Sequence, residues 1–147
     1  MVAPSAGNLA AAVALACRDD AVPLAAQLLL YPVTDLSRMK GLPERAYLGD
    51  EHLQELARDP RASPQLASSH AGLAPVILAV GSRDFLYQDN MDHARLLQAA
   101  QVPLTLRQFA DLNHGFFSFT AVSESSRAAA QLLCADLLAH FDGDAGA

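Results

Sequence analysis

Residues 113–117 read Asn113-His114-Gly115-Phe116-Phe117. Immediately upstream, Val102–Phe109 has the length and the apolar, β-branched content of a strand. Downstream, Ser123–Phe141 carries Leu132, Leu133, Leu137, Leu138 and Phe141 on one helical stripe. A histidine therefore sits on a loop just past a strand end, with Gly, two aromatics and a helix after it. That placement decides how the rest of the chain is read.

The same alternation runs back toward the start. Asn8–Arg18 is nearly all Ala, Val and Leu, the pattern of a buried helix, with Ser5 or Asn8 as candidate cap. Ala25–Tyr31 is a short apolar run closed by Pro32, as expected of a strand covered on both faces. Leu36–Pro60 is polar and irregular, with one short helix expected over Glu51–Arg58. Ala74–Val80 is the second buried strand, opened by Pro75 and closed by Gly81. Asp89–Ala100 reads as a helix capped by Asp89, with Leu96 and Leu97 inward. The tail from Asp142 is small and polar and is expected to fray. Strands alternating with helices predict an α/β fold: a short parallel sheet of about three strands, flanked by helices and joined by right-handed crossovers. The chain, residues 1–147, is read as one domain without repeats.

Bulk properties exclude several roles. Of 147 residues, 52% are hydrophobic, which is a globular and not a disordered composition. The net charge of -6 comes without any Lys or Arg cluster, which argues against nucleic acid or an anionic membrane as partner. The longest apolar stretch, Leu9–Cys17, is too short to span a bilayer, and no signal peptide is legible, so the expected compartment is the cytoplasm. Cys17 and Cys134 read as reduced, buried small hydrophobes. No metal, phosphate-loop or nucleotide fingerprint is present, and no cofactor is expected. His52, His70, His93 and His140 lack ligand spacing and are expected on the surface.

In open parallel sheets, ligands sit beyond the carboxyl ends of the strands. Asp84 and His114 both follow such ends, and Ser5 stands before the first helix. A serine hydroxyl is a poor nucleophile at neutral pH. It needs a histidine to take its proton and a carboxylate to fix the tautomer of that histidine. In this reading Ser5 attacks a carbonyl carbon, His114 is general base and then general acid, and Asp84 orients His114. The backbone N–H of Ala6 is one oxyanion donor. Each residue also has a plainer role open to it: Ser5 as a helix cap, Asp84 as a turn cap, His114 as a turn histidine bonded to backbone. Asp89 and Asp111 are rivals for the orienting carboxylate, although Asp111 is too near His114 in sequence to reach it from another strand end. Asp35 and Ser63 read as loop hydrogen-bonders, and Tyr47 and Leu48 as pocket lining or cover for the sheet.

Five segments in order carry a family resemblance: Asn8–Leu15, Tyr31-Pro32-Val33-Thr34-Asp35, Ala62-Ser63-Pro64, Gly72-Leu73-Ala74-Pro75 and Asn113–Phe117. Together they resemble the hormone-sensitive-lipase-like branch of the α/β-hydrolases, which are carboxylesterases and lipases that need no cofactor. The resemblance implies a Ser-Asp-His site on Ser5, Asp84 and His114, in the chain order of that fold, and a small ester as substrate. The corresponding half of such an enzyme starts at the nucleophile elbow, so the resemblance describes a truncated α/β-hydrolase without upstream strands or cap. The family's elbow reads Gly-Asp-Ser-Ala-Gly-Gly-Asn, whereas this chain reads Val2-Ala3-Pro4-Ser5-Ala6-Gly7-Asn8. With one Gly deleted, Ser5 is the nucleophile; with none deleted, Pro4 occupies that position and the site is dead. Ser-x-Gly in phase favours Ser5. The family's upstream His-Gly-Gly-Gly loop has no counterpart here, so weak activity is expected. The rival reading is a non-catalytic hydrolase remnant that binds a partner or serves structure. A further expectation is a homo-oligomer formed through the uncharged strand Ala25–Tyr31, left at a sheet edge.

Overall fold

A computed structural model describes residues 6–39 and 53–144. The calls on Ser5, Tyr47, Leu48 and His52 lie outside the described residues. In chain order the main elements are α1 (Ala6–Asp19), β1 (Gln27–Leu30), α2 (Leu53–Leu56), β2 (Val76–Gly81), α3 (Tyr87–Ala99), β3 (Leu104–Phe109) and α4 (Glu124–Asp144). Short 3-10 turns occupy Leu36–Arg38, Pro64–Leu66 and Phe116–Phe119. The strands form a parallel sheet in the order β1-β2-β3, with Leu29 opposite Leu78 and Leu78 opposite Leu106. The parallel three-stranded sheet expected from the alternation is therefore present.

Strand side chains alternate between two cores. Leu29, Val76 and Leu78 pack with Ala11, Ala14 and Leu15 of α1 and Ala94 and Leu97 of α3. Ile77 and Ala79 face the other way, onto Ala129 and Leu133 of α4 and Phe116. Every residue of β2 is buried, because it is the central strand with helices on both faces. Arg107 of β3 grips Asp136 of α4 through two hydrogen bonds of 2.7 and 2.6 Å, and this pairing lowers the Asp136 carboxyl below its ordinary pKa.

Several sequence expectations are corrected. Helix α1 is not buried all round: Leu9 and Val13 are exposed, since α1 meets the sheet with one face only. Asn8 is no cap but lies within α1. Most of the expected α4 stripe is outside, because the inward seam runs through Ser126, Ala129 and Leu133 while Leu132, Leu138 and Phe141 face solvent. The same rotation exposes Cys134, and Cys17 is half-buried; both thiols are free. Helix α3 starts at Tyr87, so Asp89 falls inside it and is buried, and Leu96 is partly exposed. His70 and His93 are buried, not on the surface, with rings 5.4 Å apart. His140 bonds the Ala25 carbonyl at 2.8 Å. No helix among the described residues is long and apolar enough to cross a membrane.

Candidate active site

The carboxyl end of the sheet is assembled by close backbone approach. At the end of β2, a Cβ on Gly81 would lie 2.1 Å from the Leu112 carbonyl oxygen. Only glycine lets the loop after β2 touch the loop after β3. The two loops are then laced together: Ser82 N–H donates to Phe109 O at 2.8 Å, Arg83 N–H to Leu112 O at 3.1 Å, and Asp111 N–H to Ser82 Oγ at 2.9 Å. Asp84 leaves the first loop and His114 the second.

Their side chains meet. His114 Nδ1 lies 3.0 and 3.1 Å from the two Asp84 carboxylate oxygens. The carboxylate can only accept, so Nδ1 carries a proton, and in a neutral imidazole that leaves the lone pair on Nε2. Asp84 Oδ1 also accepts from the Leu86 N–H at 2.8 Å, which fixes the carboxylate itself. The Asp84 side chain is fully shielded, at 0% exposure, while that of His114 retains 17%. The rival carboxylates are engaged elsewhere. Asp111 is exposed and pairs with Arg83 at 2.6 Å. Asp89 accepts from the Thr34 N–H and hydroxyl at 2.7 and 2.8 Å, and burial raises its pKa.

Around the imidazole stand two aromatics that the sequence reading did not select. The Tyr31 ring meets it edge-on at 4.8 Å, and the Phe85 ring lies tilted at 4.8 Å. Phe85 is 60% exposed, the mark of an apolar surface beside a titratable group. The available signals were a Tyr-Pro pair at a strand end and an aromatic next to the candidate carboxylate. Gly115, at φ 77°, takes the left-handed conformation that glycine tolerates and turns the chain into Phe116–Phe119.

The first turn of α1 reaches the same edge. A Cβ on Gly7 would lie 2.8 Å from Leu30 O and 3.1 Å from Pro32, so α1 starts tight against the carboxyl end of β1. Asn8 Nδ2 donates to Val33 O at 2.7 Å and Ala62 O at 2.8 Å. Ala6 opens α1, whose first-turn backbone N–H groups lack intrahelical partners. Asp35 caps the Leu36–Arg38 turn, and Ser63 bridges Ala57 O and Leu36 N–H, so both serve loop structure. Two cavities, of about 290 and 490 Å³, are lined by residues such as Val22 and Leu24, and Pro75 and Pro103, at the amino end of the sheet; neither touches His114. No group of three or more potential metal ligands occurs among the described residues.

A profile of the alpha/beta hydrolase fold matches residues 4–118. The chain belongs to the α/β-hydrolase family. This α/β-hydrolase is 35% identical to the carboxylic ester hydrolase LipN of Mycobacterium tuberculosis, over 92% of this chain and 41% of that protein. It is 35% identical to human hormone-sensitive lipase across 52% of the chain and 7% of the lipase, in keeping with the hormone-sensitive-lipase-like branch. Among solved structures, a thermophilic carboxylesterase cloned from a metagenomic library superposes with a TM-score of 0.79 at 26% identity, covering 92% of this chain and 52% of that one. An esterase from Pyrobaculum calidifontis gives 0.74 at 26%, over 88% and 48%. The chain thus spans about half the length of these relatives, or less.

Proposed function

We propose that this α/β-hydrolase cleaves small, short-chain carboxylic esters through an acyl-Ser5 intermediate. The observation that carries the proposal is the His114–Asp84 pair at the carboxyl edge of the sheet, 3.0 Å apart, at the same edge where α1 starts against the end of β1. Ser5 immediately precedes Ala6, the first residue of that helix. In the reaction the Ser5 hydroxyl proton passes to His114 Nε2 as Oγ bonds the ester carbonyl carbon. Asp84 stabilises the resulting imidazolium, and the Ala6 N–H faces the oxyanion. The C–O bond to the alcohol then breaks as His114 returns the proton to the leaving oxygen. Water, activated by the same imidazole, releases the acid and restores Ser5. The esterase and lipase relatives support this class of substrate, and the exposed Phe85 ring offers an apolar surface for a short acyl or alkyl group.

The test is covalent. A fluorophosphonate ester is expected to label Ser5, with Ser5→Ala abolishing both label and turnover of a short-chain nitrophenyl ester. Turnover is expected to be weak, because Ala6 is the one assigned oxyanion donor and the loss of one such donor lowers the rate by roughly 10²–10³. Undiminished turnover in Ser5→Ala would place the chemistry elsewhere, and a folded chain with neither label nor turnover would favour a binding or structural role. The same reading includes association of two or more copies through the β1 edge.

A further inference from the structure

The segment Tyr31–Thr34, just beyond β1, is held at every residue. Tyr31 N–H donates to Ala79 O at 2.7 Å, and the Pro32 carbonyl accepts from Asn90 Nδ2 of α3 at 2.9 Å. The Val33 carbonyl accepts from Asn8 Nδ2 of α1 at 2.7 Å, while Thr34 is bound to Asp89 through its N–H and hydroxyl. Within this clamp Tyr31 adopts φ 38°. A bulky non-glycine residue there is an outlier that persists only where its surroundings over-determine it.

That backbone twist directs the ring into the loop of residues 114–118. Its centroid lies 4.8 Å from that of His114 at 63°, and 5.2 Å from that of Phe116 at 71°. Burial is the main cause that raises the pKa of the Tyr31 hydroxyl, and the Asp84 charge adds to the rise. One side chain thus meets both the imidazole and the aromatic two residues on. A residue selected only to fill the core behind the loop would need neither the strained backbone nor the contact with the imidazole edge.

We propose that Tyr31 is a positioning residue for His114: the clamped exit of β1 presses its ring against the imidazole, which keeps Nδ1 toward Asp84 and Nε2 toward the reactants. Its catalytic consequence rests on the ester-hydrolase reading above, whereas the imidazole orientation does not. The decisive variants are Tyr31→Asn and Tyr31→Phe. Asn tolerates positive φ, so Tyr31→Asn removes the ring without adding backbone strain; Tyr31→Phe keeps the ring and loses only the hydroxyl. In wild type and Tyr31→Phe, ¹⁵N-histidine NMR is expected to show His114 as a single Nδ1–H tautomer. Tyr31→Asn is expected to show a mixture of tautomers, with kcat on a short-chain nitrophenyl ester down by roughly 10²-fold, the scale of a small misplacement of a reacting group. KM should change little. Three results would overturn the assignment: an unaltered His114 tautomer in folded Tyr31→Asn, equal kcat losses in Tyr31→Phe and Tyr31→Asn, or a Tyr31→Asn chain that fails to fold. If the wild type itself shows no turnover, the hydrolase reading fails and the NMR comparison still decides the role of Tyr31.

Discussion

The division of labour between Asp84 and His114 can be separated by substitution. The Asp84 carboxylate is wholly shielded and bonded to both His114 Nδ1 and the Leu86 N–H. Asp84→Asn keeps the size but brings an amide that can donate to Nδ1, which favours the wrong tautomer. In serine triads that change lowers kcat about 10⁴-fold. Asp84→Asn is therefore expected to lose ester turnover by a factor of that order while circular dichroism stays unchanged. His114→Ala is expected to abolish turnover and to leave the fold intact, because its side chain is only partly buried. Turnover in Asp84→Asn within a few-fold of wild type would show that this carboxylate does not orient a catalytic base. Chain position after strand ends predicted that Asp84 and His114 would come together, and they do. The sequence reading missed Tyr31 and Phe85, whose rings reach His114 from other loops, and such contacts leave no local periodic signal.

At the scale of elements, the end of β2 and the end of β3 behave as one unit, fused at Gly81. The 2.1 Å approach of a would-be Cβ to Leu112 O is to backbone, which has no flexible end to move aside. Gly81→Ala is expected to destabilise the protein by about 1–3 kcal/mol or more, as overpacked sites do, and to separate Asp84 from His114. Urea denaturation checks the first effect and ester turnover the second; a stable, fully active Gly81→Ala chain would show that the two loops can part without consequence. The strands were legible because parallel strands buried on both faces leave continuous apolar runs, as at Ile77–Val80. Helix existence was legible too, but not which residues of each helix face inward. In α4, Leu133 and Leu138 look alike in sequence, yet one is 1% and the other 62% exposed, because the seam is set by the sheet it meets. Buried polar groups were misjudged for a related reason. Asp89, His70 and His93 look like surface residues until Thr34 and Pro64 arrive from distant segments to surround them.

For the molecule as a whole, those buried histidines set the acid limit of stability. Burial, reinforced by the neighbouring His70, lowers the His93 pKa from 6.5 to about 3, and burial lowers that of His70. Below pH 6.5 the unfolded chain therefore binds protons that the folded chain refuses, so stability is lost as pH falls from 6.5 toward 3, by about 1.4 kcal/mol per pH unit for each such proton. Asp89, whose pKa burial raises, opposes this trend as pH falls from its raised value to the ordinary carboxylate value. Urea titrations at pH 7.5 and pH 5 are expected to show the loss, and His93→Gln should flatten it; an equal slope in the variant would assign the acid sensitivity to other groups. The second whole-molecule consequence concerns the sheet edge. In the order β1-β2-β3, β1 has a strand partner on one side only among the described residues, and its sequence Gln27-Leu28-Leu29-Leu30 carries no charge to discourage pairing. Unpaired N–H and C=O groups in a row are a template for another strand. This chain is therefore expected to associate, and light scattering over a wide concentration range is expected to report a dimer or larger. Leu28→Lys places a charge on that edge strand, where Leu28 is only partly buried against α4. It is expected to shift the chain toward monomer. A wild-type monomer at all concentrations would show that β1 needs no second copy to cover it, and an oligomer indifferent to Leu28→Lys would move the interface to another face.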